Sequence, residues 1–303
     1  MTVIAQLSDI HVRPHGVLYQ DAVDSNVMFS AAVDSLNRIR PEPDLVVISG
    51  DLTDEGTEDE YQKLRELLVE LRRPFVVLPG NHDDRGKLRA AFSDHAWLPN
   101  EGALSFALDV GELRLVALDT SVPGLHHGEL DADTLAWLDS ELTEHRSRTV
   151  VIVMHHPPFM TGIPYLDIYG LRNADAFARV LARHSNVDRI LAGHVHRSMQ
   201  TRLGSVPVLT CPSTTTQIAL RVEADAQPAS FSNHRHTCCI AGQVAVSRRS
   251  PTCVTWGISK ARSPSRKRPR QAHSGMLSAS NDRLLPPSRH LDFRRQAPQR
   301  VEV

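Results

Sequence analysis

The chain is predicted to be an α/β protein, on three observations. Short apolar runs alternate with amphipathic stretches through residues 1–230, the rhythm of strands joined through helices in a layered fold. The most polar and titratable blocks follow those apolar runs immediately rather than being scattered. The bulk composition, 41% hydrophobic and 23% charged, is that of a globular protein, and no apolar run approaches the roughly 20 residues that a membrane-spanning helix requires.

Taken in order, the first strand is expected at Val3–Leu7, followed by an amphipathic helix over Asn26–Arg40 and a second strand at Leu45–Ile48. A helix over Glu58–Leu71 opens on Thr57-Glu58-Asp59-Glu60, the spacing at which a cap residue and the third helical residue satisfy each other's free backbone N–H. Phe75–Leu78 is the third strand. Leu104–Val110 and Leu113–Leu118 read as a hairpin turning at Gly111-Glu112. The remaining pattern places a helix over Thr134–His145, a strand at Val150–Met154, a helix over Ala174–His184, and strands at Arg189–Ala192 and Val206–Thr210.

The net charge of −1 conceals two unlike parts. Residues 1–230 hold 20 Lys and Arg against 32 Asp and Glu, whereas residues 231–303 hold 14 against 3, so a body of −12 is followed by a tail of +11. In the tail Leu, Ile, Val and Phe supply only 13 of 73 residues, below the roughly 20% at which a highly charged segment can build a core. The chain is therefore divided into a folded domain, 1–230, and a basic tail of low order, 231–303. The run Lys260–Arg270 (KARSPSRKRPR) fits a nucleic-acid or localisation patch, a solvated tail, or an out-of-frame translation. The abrupt onset and the Arg, Ser, Pro and His richness suit a frameshift near Ser232. Met1–Leu7 lacks the cationic lead and apolar stretch of a secretory signal, so a cytoplasmic location is expected. The four cysteines show no CxxC spacing and support neither a disulfide framework nor a zinc ribbon.

Five polar blocks stand at strand ends: Asp9-Ile10-His11, Gly50–Asp54, Gly80–Asp83, His155–Pro158 and Gly193–His196. In open α/β sheets that edge is where ligands bind. Four histidines, two aspartates and one asparagine converging there carry a severe burial cost without a compensating cation, and imidazole, carboxylate and amide oxygen suit divalent metals. With no thiolate among them, a catalytic centre with open positions is favoured over a structural zinc. Seven ligands exceed one coordination shell. They divide into two sets of four if one carboxylate bridges, and Asp51 is the bridge candidate. Paired metals are the usual arrangement for phosphate-ester displacement, with a metal-bridging hydroxide as nucleophile.

At these blocks the sequence resembles the calcineurin-like metallophosphoesterases, in particular the branch of bacterial class III cyclic-nucleotide phosphodiesterases and glycerophosphodiesterases. The resemblance runs over about Thr2–Gln217 and includes LVVISGDLTDEGTEDEY, VLPGNHDD, MHHPPF and RILAGHVH. It implies a four-layer αββα sandwich for a catalytic domain spanning 1–230. It also implies two divalent ions (Fe, Mn, Zn or Co), one on Asp9, His11, Asp51 and His196 and the other on Asp51, Asn81, His155 and His194. Asn81 and His82 are implied as catalytic, His82 touching the phosphate without holding metal. His156 is expected to be a packing neighbour of the site. Asp83 is expected either to orient His82 or to cap a turn, and Asp54 to structure its loop. The substrate implied is a small phosphodiester, a 3',5'-cyclic nucleotide such as cAMP or a glycerophosphodiester. Phosphomonoesterase relatives carry GDxVDRG where this chain has GDLTDEG, and metal-free interaction modules of the fold lose ligands that this chain retains. The acidic body argues against a nucleic-acid substrate, and homo-oligomerisation is compatible with the resemblance. The tail does not resemble the family's later core strands, and if it is a frameshift product a sheet edge is expected to lie uncovered and oligomer contacts to be lost.

Overall fold

The computed structural model describes residues 2–232 and the strands at 242–246, 253–256 and 284–285. The first half of the fold comprises β1 (Val3–Leu7), α1 (Ser25–Leu36), β2 (Leu45–Ser49), α2 (Glu58–Leu68), β3 (Phe75–Leu78) and α3 (Arg85–Ala91). The second half comprises β4 (Phe106–Val110), β5 (Leu113–Leu118), α4 (Ala132–Glu144), β6 (Thr149–Met154), α5 (Pro164–Asp167), α6 (Ala174–Leu181), β7 (Val187–Ala192), β8 (Gln200–Leu203) and β9 (Val206–Thr210). Five short strands follow: β10 (Thr216–Ile218), β11 (Ser230–Ser232), β12 (Gly242–Val246), β13 (Cys253–Trp256) and β14 (Leu284–Leu285).

Two sheets carry the fold. One has the order β13-β12-β1-β2-β3, the other β4-β5-β6-β7-β9-β8, and β10-β11-β14 form a small third sheet. Within the large sheets β1, β2 and β3 are parallel, as are β5, β6, β7 and β9, so their carboxyl ends share a direction within each sheet. Alternation along each strand decides the layering. Ile4, Leu45, Val47 and Val76 point between the sheets to meet Leu115, Val151, Val153 and Leu191. Their neighbours Ala5, Leu7, Val46 and Ile48 face outward onto Phe29, Leu36, Leu64 and Leu88 of α1–α3. On the far side Val116, Ile152, Met154 and Ile190 pack against Leu138 and Leu142 of α4 and Phe177 and Leu181 of α6. These layers are the expected αββα sandwich.

The capping box at α2 forms as predicted, Thr57 and Glu60 exchanging side-chain and backbone hydrogen bonds, and the β4–β5 hairpin turns at Gly111, whose φ is +56°. Helix ends differ from the sequence expectation by a few residues. The first helix stops at Leu36 rather than Arg40; its cap residue Asn37 keeps helical backbone, and its side-chain amide donates to Glu70 O (2.8 Å) and accepts from Arg72 N (3.0 Å) beyond α2. The fourth begins before Thr134, since the cap is Asp131, which accepts from Thr134 N at 2.7 Å. Helix α3 was not expected: it is a short turn capped by Asp84, which accepts from Lys87 N, without a long apolar period to signal it.

The compositional break at residue 230 is not a break in the sheet. β12 lies antiparallel on β1, pairing Val3 with Val246 and Gln6 with Gln243, and β13 pairs in turn with β12. The β1 edge is therefore covered, which corrects the expectation that it lies open: a strand edge in parallel register offers hydrogen-bonding groups to any extended segment within reach. The rest of 231–303, including Lys260–Arg270, lies outside the described residues.

Candidate metal centre

Every titratable block stands at the strand end where the sequence puts it. Asp9 and His11 follow β1, Asp51 follows β2, Asn81 and His82 follow β3, His155 follows β6, and His194 and His196 follow β7. The loops are laced to one another by the backbone: Asp9 N donates to Gly50 O, His11 N to Asp51 O, and Gly193 N to His155 O, all at 2.9–3.0 Å. The conformation this imposes is costly. Asp9, His11, Asp51, His194 and His196 have φ of +54°, +43°, +48°, +70° and +51°, a left-handed region that non-glycine residues avoid at about 1–3 kcal/mol each. Five strained residues at one point, all bearing donor atoms, mark the place where the fold stores strain for function.

The donor atoms form two adjoining groups. In the first, His196 Nε2 lies 3.4 Å from Asp9 Oδ1, His11 Nε2 lies 3.2 Å from His196 Nε2, and 3.8 Å from Asp51 Oδ2. In the second, His155 Nε2 lies 3.3 Å from Asp51 Oδ1 and 3.2 Å from Asn81 Oδ1, and His194 Nδ1 lies 3.0 Å from the same Asn81 oxygen. Asp51 stands between the groups with one carboxylate oxygen toward each. The ring nitrogens facing away from the cluster are held by acceptors, His155 Nδ1 by Ser49 O (2.9 Å) and His196 Nδ1 by Thr216 O (3.2 Å). A carbonyl can only accept, so both rings carry their proton on Nδ1 and present the Nε2 lone pair to the cluster.

Electrostatics among these groups favour a bound cation. Asp9 and Asp51 are 0% and 2% exposed, and two carboxylates at such burial are expensive without positive charge. Burial pushes the Asp9 carboxyl up to about 6 despite the attraction of His155. Burial also opposes ionisation of Asp51, but the imidazoles of His155, His82 and His11 outweigh it and hold Asp51 well below the usual carboxylate range. Burial would lower His155, yet Asp51 and Asp9 lift it to about 9. Burial, reinforced by His155, drives His194 down to about 3, and burial with His11 drives His196 well below its ordinary value. His194 Nε2 is buried without a hydrogen-bond partner among the described residues. The proton that Asp51 and Asp9 hold on His155 occupies the place a metal cation would take, and with it displaced the imidazoles, carboxylates and amide oxygen, with no sulfur, are a donor set that fits divalent ions.

The structure gives definite roles to the neighbours of the cluster. His156 could join His155 and His194 as a third nitrogen donor by proximity, but both its ring nitrogens are taken, Nδ1 by Thr120 Oγ1 (2.7 Å) and Nε2 by His126 O (3.1 Å), in keeping with a packing role. Asp83 does not orient His82. It accepts from Leu52 N, Gly80 N, Thr53 Oγ1 and Tyr61 Oη, fastening the loop after β2 to the loop after β3. The partner of His82 is instead Asp54, whose backbone oxygen takes the Nδ1 proton at 2.7 Å. The Asp54 carboxylate also lies 3.5 Å from His11 Nδ1 and 3.1 Å from Arg13 Nη1, so a residue expected only to structure its loop touches both His11 and His82. Tyr19 stacks on the His11 ring at 4.5 Å and 19°, and His126 Nδ1 meets Asn81 Nδ2 at 3.3 Å, which turns the amide oxygen toward His155 and His194. Tyr19 and His126 come from the loops at 14–21 and 123–128, which the sequence places around the pocket, with 159–169, as sources of stacking and hydrogen-bonding Tyr and His side chains; all three loops line the cleft.

An open cleft, about 730 Å³ counted out into solvent, lies over the cluster and is lined by Asp51, Asn81 and His82 together with Tyr165, Tyr169 and Ile218. The glycines beside the cluster are there for room. A Cβ on Gly80 would stand 2.1 Å from Asp51 Oδ1, 2.3 Å from Asp51 N and 2.8 Å from His155 Nε2. Gly80→Ala is thus expected to displace Asp51 and to destabilise the fold by about 1–3 kcal/mol, the usual cost of overpacking. Denaturant unfolding alongside metal analysis checks it, and unchanged values for both would show that the loop has slack.

The sandwich and the cluster at its strand ends define a hydrolase of the metallophosphoesterase class. The chain belongs to the calcineurin-like phosphoesterase family, whose model matches residues 2–198. It is 33% identical to a probable glycerophosphodiester phosphodiesterase of Arcobacter nitrofigilis, over 74% of this chain and 83% of the relative. It is 36% identical to a cAMP/cGMP dual specificity phosphodiesterase of Mycobacterium tuberculosis, over 70% of this chain and 67% of that one. Among solved structures it superposes on a dimetal phosphatase from Danio rerio with a TM-score of 0.57 at 16% identity, covering 85% of this chain and 99% of the other, a likeness of fold. Among the described residues no helix is long and apolar enough to cross a membrane.

Proposed function

We propose that the chain hydrolyses small phosphodiesters, either 3',5'-cyclic nucleotides or glycerophosphodiesters, at two divalent ions. Asp9, His11, Asp51 and His196 would hold one ion and Asp51, Asn81, His155 and His194 the other. Bound divalent ions supply Lewis-acid chemistry, offsetting phosphoryl charge and bringing water within reach of deprotonation near neutral pH. The protein groups do the rest. Asp54 fixes the His82 tautomer, so Nε2 is the nitrogen left to meet a phosphoryl or departing oxygen. The Ser49 and Thr216 carbonyls keep His155 and His196 aimed inward. The relatives' names support a diester substrate.

The observation that carries the diester over the monoester is the charge of the cleft. Among the described residues no Lys or Arg lines it, which suits a monoanionic diester better than the dianion of a monoester. A bis(aryl) phosphate is therefore expected to be cleaved with higher kcat/KM than the matching aryl phosphate under the same metal loading. Equal or reversed preference would replace this reading with phosphomonoesterase.

A further inference from the structure

A second cavity, enclosing about 580 Å³ of space open to solvent, meets the main cleft at Asn81 and His82 and is otherwise lined differently. It runs along Gly56, Arg85, Lys87, Ser121 and Gly124 and includes none of the tyrosines of the cleft. The two are opposite in chemistry. The cleft wall is aromatic and aliphatic without a cation, and the second cavity is polar with two.

Of those two cations one is spoken for. Arg85 Nε pairs with the fully buried Asp119 carboxylate at 2.6 Å, and its Nη2 donates to Ser121 O at 2.6 Å. Lys87 Nζ donates to Gly56 O at 2.9 Å and forms no ion pair among the described residues. The acidic groups in the same wall are engaged elsewhere: Glu55 with Arg13 (3.0 Å), Asp83 with four donors of the neighbouring loops and Tyr61, and Asp84 with Lys87 N (2.8 Å) as helix cap. An ammonium held by one neutral carbonyl has two further N–H donors, and it sits in a cavity that reaches the candidate acid His82.

We propose that this cavity receives the departing alcohol of an acyclic phosphodiester, and that Lys87 selects an alcohol rich in hydroxyl groups. The inference rests on the phosphodiesterase reading and deepens it. Two cavities joined at the phosphoryl position accommodate the two separate substituents of an acyclic diester, the apolar or flat one over Tyr165 and Tyr169 and the hydroxylated one toward Lys87. A polyol offers the oxygen lone pairs that the free N–H donors of an ammonium take.

The test uses the full chain loaded with Mn²⁺ and two diesters, glycerophosphoglycerol and bis(nitrophenyl) phosphate. Lys87→Met, which keeps length and loses charge, is expected to raise KM for glycerophosphoglycerol about tenfold or more, the loss of a hydrogen bond to a charged group. It should change kcat/KM for the bis(aryl) ester less than about twofold, which also shows that the variant is folded and metal-loaded. Lys87→Arg should recover most of the polyol affinity. If Lys87→Met alters both substrates alike, or leaves glycerophosphoglycerol unchanged, the subsite is overturned while the phosphodiesterase reading stands. If the metal-loaded wild type cleaves neither diester, that reading fails and takes the subsite with it.

Discussion

Asp51→Ala is expected to lower bound metal from two ions per chain to well under one, and to reduce diester hydrolysis by roughly 10³-fold or more, the scale of losing a principal electrostatic element of a site. The reason is its position. One carboxylate oxygen lies toward the His11 side and the other 3.3 Å from His155 Nε2, so its loss removes a donor from both groups at once, where loss of any other donor touches one. Asp51 also accepts from His82 N at 3.0 Å, which ties the loop after β3 to the cluster. Alanine is poorly suited to the φ of +48° at this position, so a loss of activity alone could reflect a shifted loop. Asp51→Asn separates the causes, because asparagine tolerates the left-handed region and keeps the shape while removing the charge. A protein that folds as Asp51→Asn but fails to retain metal assigns the effect to the carboxylate. A wild-type ratio near one ion, or two ions held tightly by Asp51→Ala, would end the dinuclear assignment.

The sequence made the strands and the blocks that follow them readable because both are local. An apolar run such as Leu45–Ser49 is buried on both faces and ends abruptly at Gly50-Asp51, and neither fact needs the rest of the chain. The layering was legible through resemblance, and the alternation of Val47 inward with Val46 and Ile48 outward supplies its physical basis. What was not legible depends on approach between distant segments. Asp54, three residues after Asp51, and Asp83, two after Asn81, are both acidic residues in turn-like contexts. Only the fold reveals that Asp83 is consumed by Leu52, Gly80 and Tyr61, whereas Asp54 faces His11 and His82. The left-handed backbone at Asp9, His11, Asp51, His194 and His196 is not set by residue type, since Asp and His enter that region more readily than most residues but do so only where the surrounding fold holds them there. The same holds for β12, which draws part of a compositionally foreign segment onto β1 through backbone hydrogen bonds that depend little on side-chain identity.

His82→Ala is expected to leave metal content near wild type and to lower kcat by roughly 100-fold or more, as loss of a charge-stabilising or acid–base group does. His82 is half-buried, lines both cavities, and stacks edge-on to the His11 ring at 4.9 Å, yet it belongs to neither donor group around Asp51. Its Nδ1 is held by the Asp54 carbonyl at 2.7 Å, so in the neutral ring Nε2 is a bare lone pair and in the cation it is a donor. Only the cation can protonate a departing oxygen, and an Asp54 carboxylate oxygen lies 3.6 Å from Nδ1. The consequence is a dependence on leaving group. Phenols of low pKa depart without help, so aryl diesters should suffer less from His82→Ala than alkyl or ribose esters if Nε2 supplies the proton. If the ring only grips the phosphoryl oxygens, all esters should suffer alike. If it merely packs in the Asn81 turn, stability and metal content should fall together. A leaving-group series on this one variant, read beside its metal analysis, separates the three, and wild-type kcat with every ester would remove His82 from the catalytic set.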